Sequence, residues 1–341
     1  MSEKSVFLLG PGYIGGQILE FLLERNYHVT TLTRRESTAA EFHAQGIKTV
    51  IGSLDDRSVI QKQVSVSDIV FHTATADHLP SAEAVLDGLE ERAKNNLQTI
   101  YINTSGTSIL SDNSAGAFKS DMVFEDDKPE GIDALPDSAP HRTIDLPIVR
   151  RREILGEHAK IAIMMPPLIY GVGPAGRSSI QLPTLVRYSL KHRYAGQIGE
   201  GRSVWSQIHV KDLARGYLTL LDWLERTPAE EVLPNPYWFC ENGNELSWND
   251  CTAEIGRVLY EAGKIESSTP RTIPVSNYGD LFGKWSEPVV GSNSRSRANR
   301  LRKLGWEPKE KKTLASLAED EIPLIMQETG PFEGYGKVVA S

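Results

Sequence analysis

The residues of this chain best suited to chemistry stand in short clusters at the ends of apolar runs. The first is "LGPGYIG", where Gly10, Gly12 and Gly15 take the G-x-G-x-x-G spacing, with Tyr13 and Ile14 inside the same turn. Glycines so spaced divide three tasks. One turns the chain tightly, one lets the backbone approach a pyrophosphate, and one lets a helix pack closely on a strand. The helix that begins there points its unbonded N–H groups at the anion. The cluster follows an apolar run and opens a helical one, which is the context a dinucleotide site requires.

The second cluster is "TLTRRES", with Thr33, Arg34 and Arg35 ahead of Glu36. An Asp or Glu at such a strand end would bind the ribose 2′-hydroxyl of NAD(H). Two guanidinium groups match the oxygens of a 2′-phosphate instead, so the cluster favours NADP(H) over NAD(H). In "GSLDD", Ser53, Leu54 and Asp55 stand where an adenine edge would lie. Leu54 can pack on the base and Asp55 can bond its amino group. "HTATA" places the small residues Thr73, Ala74 and Thr75 at a further tip, so that a cofactor can run close to the backbone. "NTSGTS" supplies hydroxyls at Thr104, Ser105, Thr107 and Ser108. In an open α/β sheet, ligands sit beyond the carboxyl ends of the strands, and all these tips face one crevice.

The elements that must position these residues alternate. Short β-branched or apolar runs at 5–10, 27–34, 48–54, 68–76 and 99–106 read as strands. The segments between them have helical length; Ile14, Ile18, Phe21 and Leu22 recur at helical spacing. Such alternation predicts a parallel sheet covered on both faces, wound by right-handed crossovers into an α/β, doubly wound Rossmann fold. Residues 107–141 read as a long loop, followed by a helix through "RTIDLPIVRRRE". A sixth strand, 159–173, is ended by Pro166 and Pro167. Residues 203–225 read as a strand entering a helix, and "PYWFC" as a last strand. The expected division is a nucleotide-binding domain over 1–173 and 203–240, and a smaller substrate-capping domain over 174–202 and 241–341.

Bulk properties exclude other classes. The 341 residues carry a net charge of −8, which disfavours nucleic acid as a partner. The two cysteines, Cys240 and Cys251, have neither CxxC spacing nor a nearby His. No disulfide framework or metal site is expected, and a reducing cytoplasm suits the chain. No apolar run approaches the roughly 20 residues of a membrane span, so no membrane partner is expected. "VFLLG" is too short for a signal-peptide core, and the terminal "KVVAS" carries no targeting tripeptide. "VRRRE" reads as a solvated helix face.

Taken together, the motifs resemble the short-chain dehydrogenase/reductase superfamily in its extended and atypical branches, the epimerase/dehydratase-like and NmrA-like proteins. "GPGYIG" is similar to their glycine motif and "GSLDD" to their adenine-contact segment. "NTSG" resembles the strand tip that bears the catalytic serine, which implies that role for Ser105. "PPLIYGVG" is similar to their segment beside the nicotinamide, which implies cofactor contacts at Pro166, Pro167 and Leu168. "IHVKDLARGY" resembles the segment that couples sheet to cap. The resemblance spans about residues 5–225 and admits a homodimer.

One departure stands out. The family uses a Tyr as proton donor and a Lys four residues later. Aligning Glu153 with the Glu that commonly follows puts Asp145 in the Tyr slot and Val149 in the Lys slot. Tyr260 alone has a Lys at +4, in what reads as an exposed cap helix. Three readings follow. The protein is an NADP(H)-dependent oxidoreductase that reduces a small carbonyl, imine or enone, with protons handled by Ser105 and by Asp145, Lys119, His141 or Tyr170. Alternatively it is a non-catalytic NADP(H) sensor of NmrA-like type, or an NAD-dependent epimerase or dehydratase. His72 and His209 read as packing residues. The cap aromatics Trp205, Trp238, Trp248, Trp285, Tyr278 and Phe282 read as core, or as the wall of a substrate pocket. The basic "RSRANRLRKLGW" reads as a solvated helix, with docking of a substrate carboxylate as the alternative.

Overall fold

Alternating strand residues go to opposite sides of one sheet. Val6 and Leu8 enter one apolar core, and Phe7 and Leu9 enter the other; Ile100 and Ile102 oppose Tyr101 in the same way. A strand buried on both faces has no polar side to show, which is why these segments read as unbroken apolar runs. The description rests on a computed structural model and covers residues 4–334. The first three residues and "KVVAS" lie outside it, as do the outer ends of the expected domain boundaries.

The sheet strands are β1 (Ser5–Leu9), β2 (His28–Thr33), β3 (Lys48–Ile51), β4 (Ile69–His72), β5 (Thr99–Thr104), β6 (Ala159–Met165) and, beyond a second small sheet, Tyr237–Phe239. The seven are parallel, with Tyr237–Phe239, here β9, at one edge followed by β6, β5, β4, β1, β2 and β3. The order reverses between β1 and β4, and their carboxyl ends open the crevice there. Helix α1 (Tyr13–Glu24) buries Gly15, Ile18, Leu19 and Leu22, a stripe at helical spacing. It packs against α7 (Val210–Arg226), which closes the same face. On the other face α3 (Arg57–Val64) packs on α4 (Leu79–Lys94), and α4 on α5 (Arg142–Leu155).

The 159–173 run breaks at the two prolines into strands of different sheets. β6 stays in the main sheet, while β7 (Leu168–Tyr170) pairs with β8 (Val204–His209), which pairs in turn with β10 (Glu245–Ser247). The 107–141 segment is mostly loop but holds a 3-10 turn, Thr107–Leu110, and two residues, Phe124–Glu125, that pair with Ser296–Arg297. A third core joins Leu168, Tyr170 and Trp205 to α6 (Gln181–His192), α8 (Trp248–Glu261) and the C-terminal helices. Leu301 and Trp306, far along the chain, belong to the sheet core instead.

The "VRRRE" helix face is corrected by burial. Arg150 is exposed, and Arg151 pairs with Glu90 at 2.5 Å, but Arg152 is buried with Nε and Nη1 unpartnered. Among the described residues no helix is long and apolar enough to cross a membrane.

Candidate cofactor and substrate site

Each glycine of the first cluster meets a different demand. Gly10 has φ +86°, and a Cβ there would lie 2.3 Å from Ala74 Cα. Gly15 carries no such strain, but its Cβ would lie 2.1 Å from Gly10 O and 2.3 Å from Thr73 Oγ1. These two are excluded by backbone, which cannot give way. Gly12 differs: the one atom near its Cβ position is Arg177 Nη1, at 3.6 Å. Gly12 is also the N-cap of α1 and offers no side chain to the first-turn N–H groups. An open backbone at a helix N-terminus, with a guanidinium beside it, fits a pyrophosphate. Thr73 Oγ1 donates to Leu9 O and Gly10 O, which locks the β4 tip to the turn. The Tyr13 hydroxyl donates to Gly171 O at 2.7 Å and ties α1 to the loop after β7.

At the β2 end Thr33 is buried, whereas Arg34 and Arg35 are exposed, with Arg35 the extended N-cap of α2 (Glu36–His43). At the β3 end, Ser53 gives both its N–H and its hydroxyl to Asp56 Oδ2. Its hydroxyl is thus committed to the turn. Asp55 meets His78 Nε2 at 3.1 Å, and Leu54 packs partly buried against the sheet core.

The β5 tip gathers the proton-handling groups. Ser105 donates its hydroxyl to Asp145 Oδ2 at 2.7 Å. Asp145 is 0% exposed, and Oδ1 has no hydrogen-bond partner. Burial pushes its carboxyl from the ordinary 3.8 up to about 6; the Ser105 bond and the nearby His141 and Arg142 pull the other way. His141 stands at the N-cap of α5 with φ +65°. Its Nδ1 is 2.7 Å from Asp77 Oδ1, and its Nε2 is 2.5 Å from Ser108 Oγ. The His141 Nδ1 bond holds the Asp77 carboxyl below its ordinary range. Neither Asp77 nor Arg177 was marked by sequence reasoning. Asp77 carries a faint signal, a carboxylate just past the β4 tip; Arg177 carries none, because only the fold brings it to Gly12.

Other expected residues are occupied elsewhere. Thr104 Oγ1 shares a 2.6 Å bond with the buried Tyr217 hydroxyl, inside the core. Tyr170 is 1% exposed, donates to Lys311 O and accepts from Asn242. Lys119 is exposed. Thr75 Oγ1 accepts from Asp77 N, while Ala74 is exposed and Pro166, Pro167 and Leu168 are buried. Pro166 O accepts from Thr107 N, which fastens the β5 tip to this wall. Val149, expected in the Lys slot, packs against the apolar core.

His72 bonds Ser81, and burial lowers its pKa to about 4; His209 accepts from Lys211 N as a helix cap. Tyr260 is 53% exposed on α8. The basic segment is consumed: Arg295 and Arg297 pair with Glu245, Arg302 with Glu241, and Arg300 lies 3.6 Å over the Trp238 ring. It is neither a solvated face nor an open carboxylate dock. Of the cap aromatics Trp205, Trp248 and Phe282 are core, whereas Trp285 is 56% exposed.

Residues 10–126 match a family described as NAD(P)H-binding. Across most of its length the chain is similar to a protein named oxidase ucsJ from Acremonium sp. The identity is 28% over 329 residues, covering 89% of this chain and 93% of that protein. Among solved structures, dTDP-glucose 4,6-dehydratase from Bacillus anthracis in complex with NAD gives a TM-score of 0.66 at 12% identity, covering 95% of this chain and 97% of that one. UDP-glucose 4-epimerase from Thermus thermophilus in complex with NAD gives 0.65 at 16% identity, covering 95% and 100%. Residues 10–126 thus match an NAD(P)H-binding family, and the fold of the chain is similar to the folds of these two enzymes.

Proposed function

We propose that the protein is an oxidoreductase that uses NADP(H) to reduce a small carbonyl, imine or enone, without the Tyr–Lys pair. The observation that carries this reading is the convergence at one strand tip of Ser105 on Asp145 and Ser108 on His141, beside a glycine turn open at Gly12. Proton-handling groups at the carboxyl edge of the sheet serve a reaction; a sensor needs only the nucleotide pocket. The full-length relative named as an oxidase supports turnover.

When bound, the nicotinamide supplies or accepts hydride. The chain supplies the rest. Gly12, the first turn of α1 and Arg177 hold the pyrophosphate, and Arg34 and Arg35 meet the 2′-phosphate. Leu54 and Asp55 take the adenine, and the 166–168 wall borders the nicotinamide. Asp145 is too deeply buried to meet a substrate, so it acts through Ser105, fixing where that hydroxyl points.

The test is calorimetric titration with NADPH, NADP⁺, NADH and NAD⁺, followed by stopped-flow mixing of the NADPH complex with carbonyl, imine and enone panels. Tight binding of the phosphorylated pair and oxidation of NADPH by one panel are expected. Binding with a wide gap between reduced and oxidised forms, and no oxidation by any panel, would replace this reading with the sensor.

A further inference from the structure

We propose that Asp77, His141 and Ser108 form a proton relay that stands in for the family's Tyr–Lys pair, with Ser108 the group that meets the substrate oxygen. The inference rests on the oxidoreductase reading above and names its proton path.

Three segments distant in sequence build the relay. Asp77 follows β4, Ser108 lies in the 3-10 turn after β5, and His141 caps α5. The two bonds use different ring nitrogens, Nδ1 to the carboxylate at 2.7 Å and Nε2 to the hydroxyl at 2.5 Å. A carboxylate on one nitrogen fixes the tautomer and steadies a positive imidazolium; the other nitrogen is then free to exchange a proton with a hydroxyl. Exposure is graded along the chain of groups: the Asp77 side chain is 70% exposed and that of His141 15%. The relay therefore reaches from solvent inward. His141 holds a left-handed backbone, a conformation uncommon outside glycine and one that clusters at functional sites. Gly106 leaves the approach open: a Cβ there would lie 3.1 Å from His141 Nε2 and 3.8 Å from Ser108 Oγ.

The protons balance simply. In reduction, the substrate oxygen gains charge as hydride arrives. Ser108 breaks its O–H bond and gives that proton to the oxygen. Its Oγ takes the Nε2 proton of the imidazolium in exchange. His141 is left neutral, with its Nδ1–H still donating to Asp77, and water restores the lost proton after product leaves. Oxidation of the alcohol runs the same transfers backwards.

The closing experiment uses the full chain with NADPH and whichever panel compound the wild type reduces. Ser108→Ala, His141→Gly and Asp77→Asn are measured for turnover, for NADPH affinity and for rescue by added imidazole. Glycine suits the left-handed backbone at 141 and leaves room for free imidazole. Ser108→Ala and His141→Gly should lose about 10²–10⁴ in turnover with NADPH affinity held within about twofold. Imidazole should restore His141→Gly and leave Ser108→Ala unchanged. Nitrogen-15 NMR of the wild type, independent of activity, should show that the neutral form of His141 is a single tautomer with Nδ1–H, and Asp77→Asn should abolish that preference. Turnover kept in either of the first two variants, or no imidazole rescue and mixed tautomers, overturns the relay while the oxidoreductase reading stands. Labelling of Ser108 by a fluorophosphonate would assign a nucleophile instead and also overturn it. Absence of any wild-type turnover overturns the oxidoreductase reading, and the relay with it.

Discussion

Ser105 Oγ lies 2.7 Å from Asp145 Oδ2, and Asp145 has no exposed surface at all. Asp145, the residue that the sequence comparison puts in the Tyr slot, is therefore not a donor facing the crevice. It is a buried carboxyl with one oxygen satisfied and one orphaned.

That burial has a pH signature. The folded pKa is raised from 3.8 to about 6, so folding favours the protonated form relative to the unfolded chain. Its stabilisation is complete below about pH 4 and is lost as pH rises through 6, by about 3 kcal/mol. Asp145→Asn cannot ionise. Melting temperatures from pH 4 to 8 should show the wild type losing ground to Asp145→Asn across that window. A difference independent of pH would mean that the site is solvated.

Glu321 makes the same argument in the cap. It is 0% exposed, and burial raises its pKa from 4.5 to about 7, with the Gly171 backbone N–H and the Ser316 hydroxyl pulling the other way. Stability tied to it is present below about pH 4.5 and lost through pH 7, by about 3 kcal/mol. Glu321→Gln should raise the melting temperature at pH 8 and have little effect at pH 4.5. Equal effects at both pH values would contradict the buried titration.

The nucleotide pocket separates two arginines. Arg34→Ala should weaken NADPH by about 1.5–3 kcal/mol, the worth of a hydrogen bond to a charged group, and leave NADH nearly unchanged. Arg177→Ala, beside Gly12, should weaken both nucleotides alike, because both carry the pyrophosphate. Titration calorimetry reads both; equal loss for NADPH and NADH in Arg34→Ala would remove the 2′-phosphate assignment.

The glycines should fail in different ways. Gly15→Ala drives a Cβ to 2.1 Å from a backbone oxygen and should cost on the order of 3 kcal/mol of stability or more. Gly12→Ala meets no atom closer than 3.6 Å. It should fold with less than about 1 kcal/mol lost, yet bind nucleotide poorly, since the new methyl stands at the turn where phosphate approaches. Chemical denaturation and binding measured on both variants check the pair. Normal binding by Gly12→Ala would move the phosphate elsewhere.

Much of the fold was legible because its causes are local. Each buried strand declares itself by an apolar run, and each helix by its stripe. Gly10 and Gly15 are dictated by a turn that spans six residues. The glycine turn was therefore readable from spacing alone, as was the end of β6 at Pro166. The residues that misled are those whose state depends on distant neighbours. Arg152 looks like a surface charge in "VRRRE", yet it is buried. Thr104 looks like a free hydroxyl at a strand tip, yet Tyr217 claims it from 113 residues away. Tyr170 looks like a donor, yet Lys311 and Asn242 hold it.

The site itself divides along the same line. The sequence by itself determined that a nucleotide-binding sheet would present Ser105, Thr107 and Ser108 at one tip, because period and turn chemistry act over a few residues. Only the tertiary structure decided which groups those hydroxyls meet. Asp77 and His141 are 64 residues apart, and Ser108 and His141 are 33. Their contact exists because parallel strands deliver every carboxyl end to the same edge, and no spacing rule along the chain records which side chains will touch there.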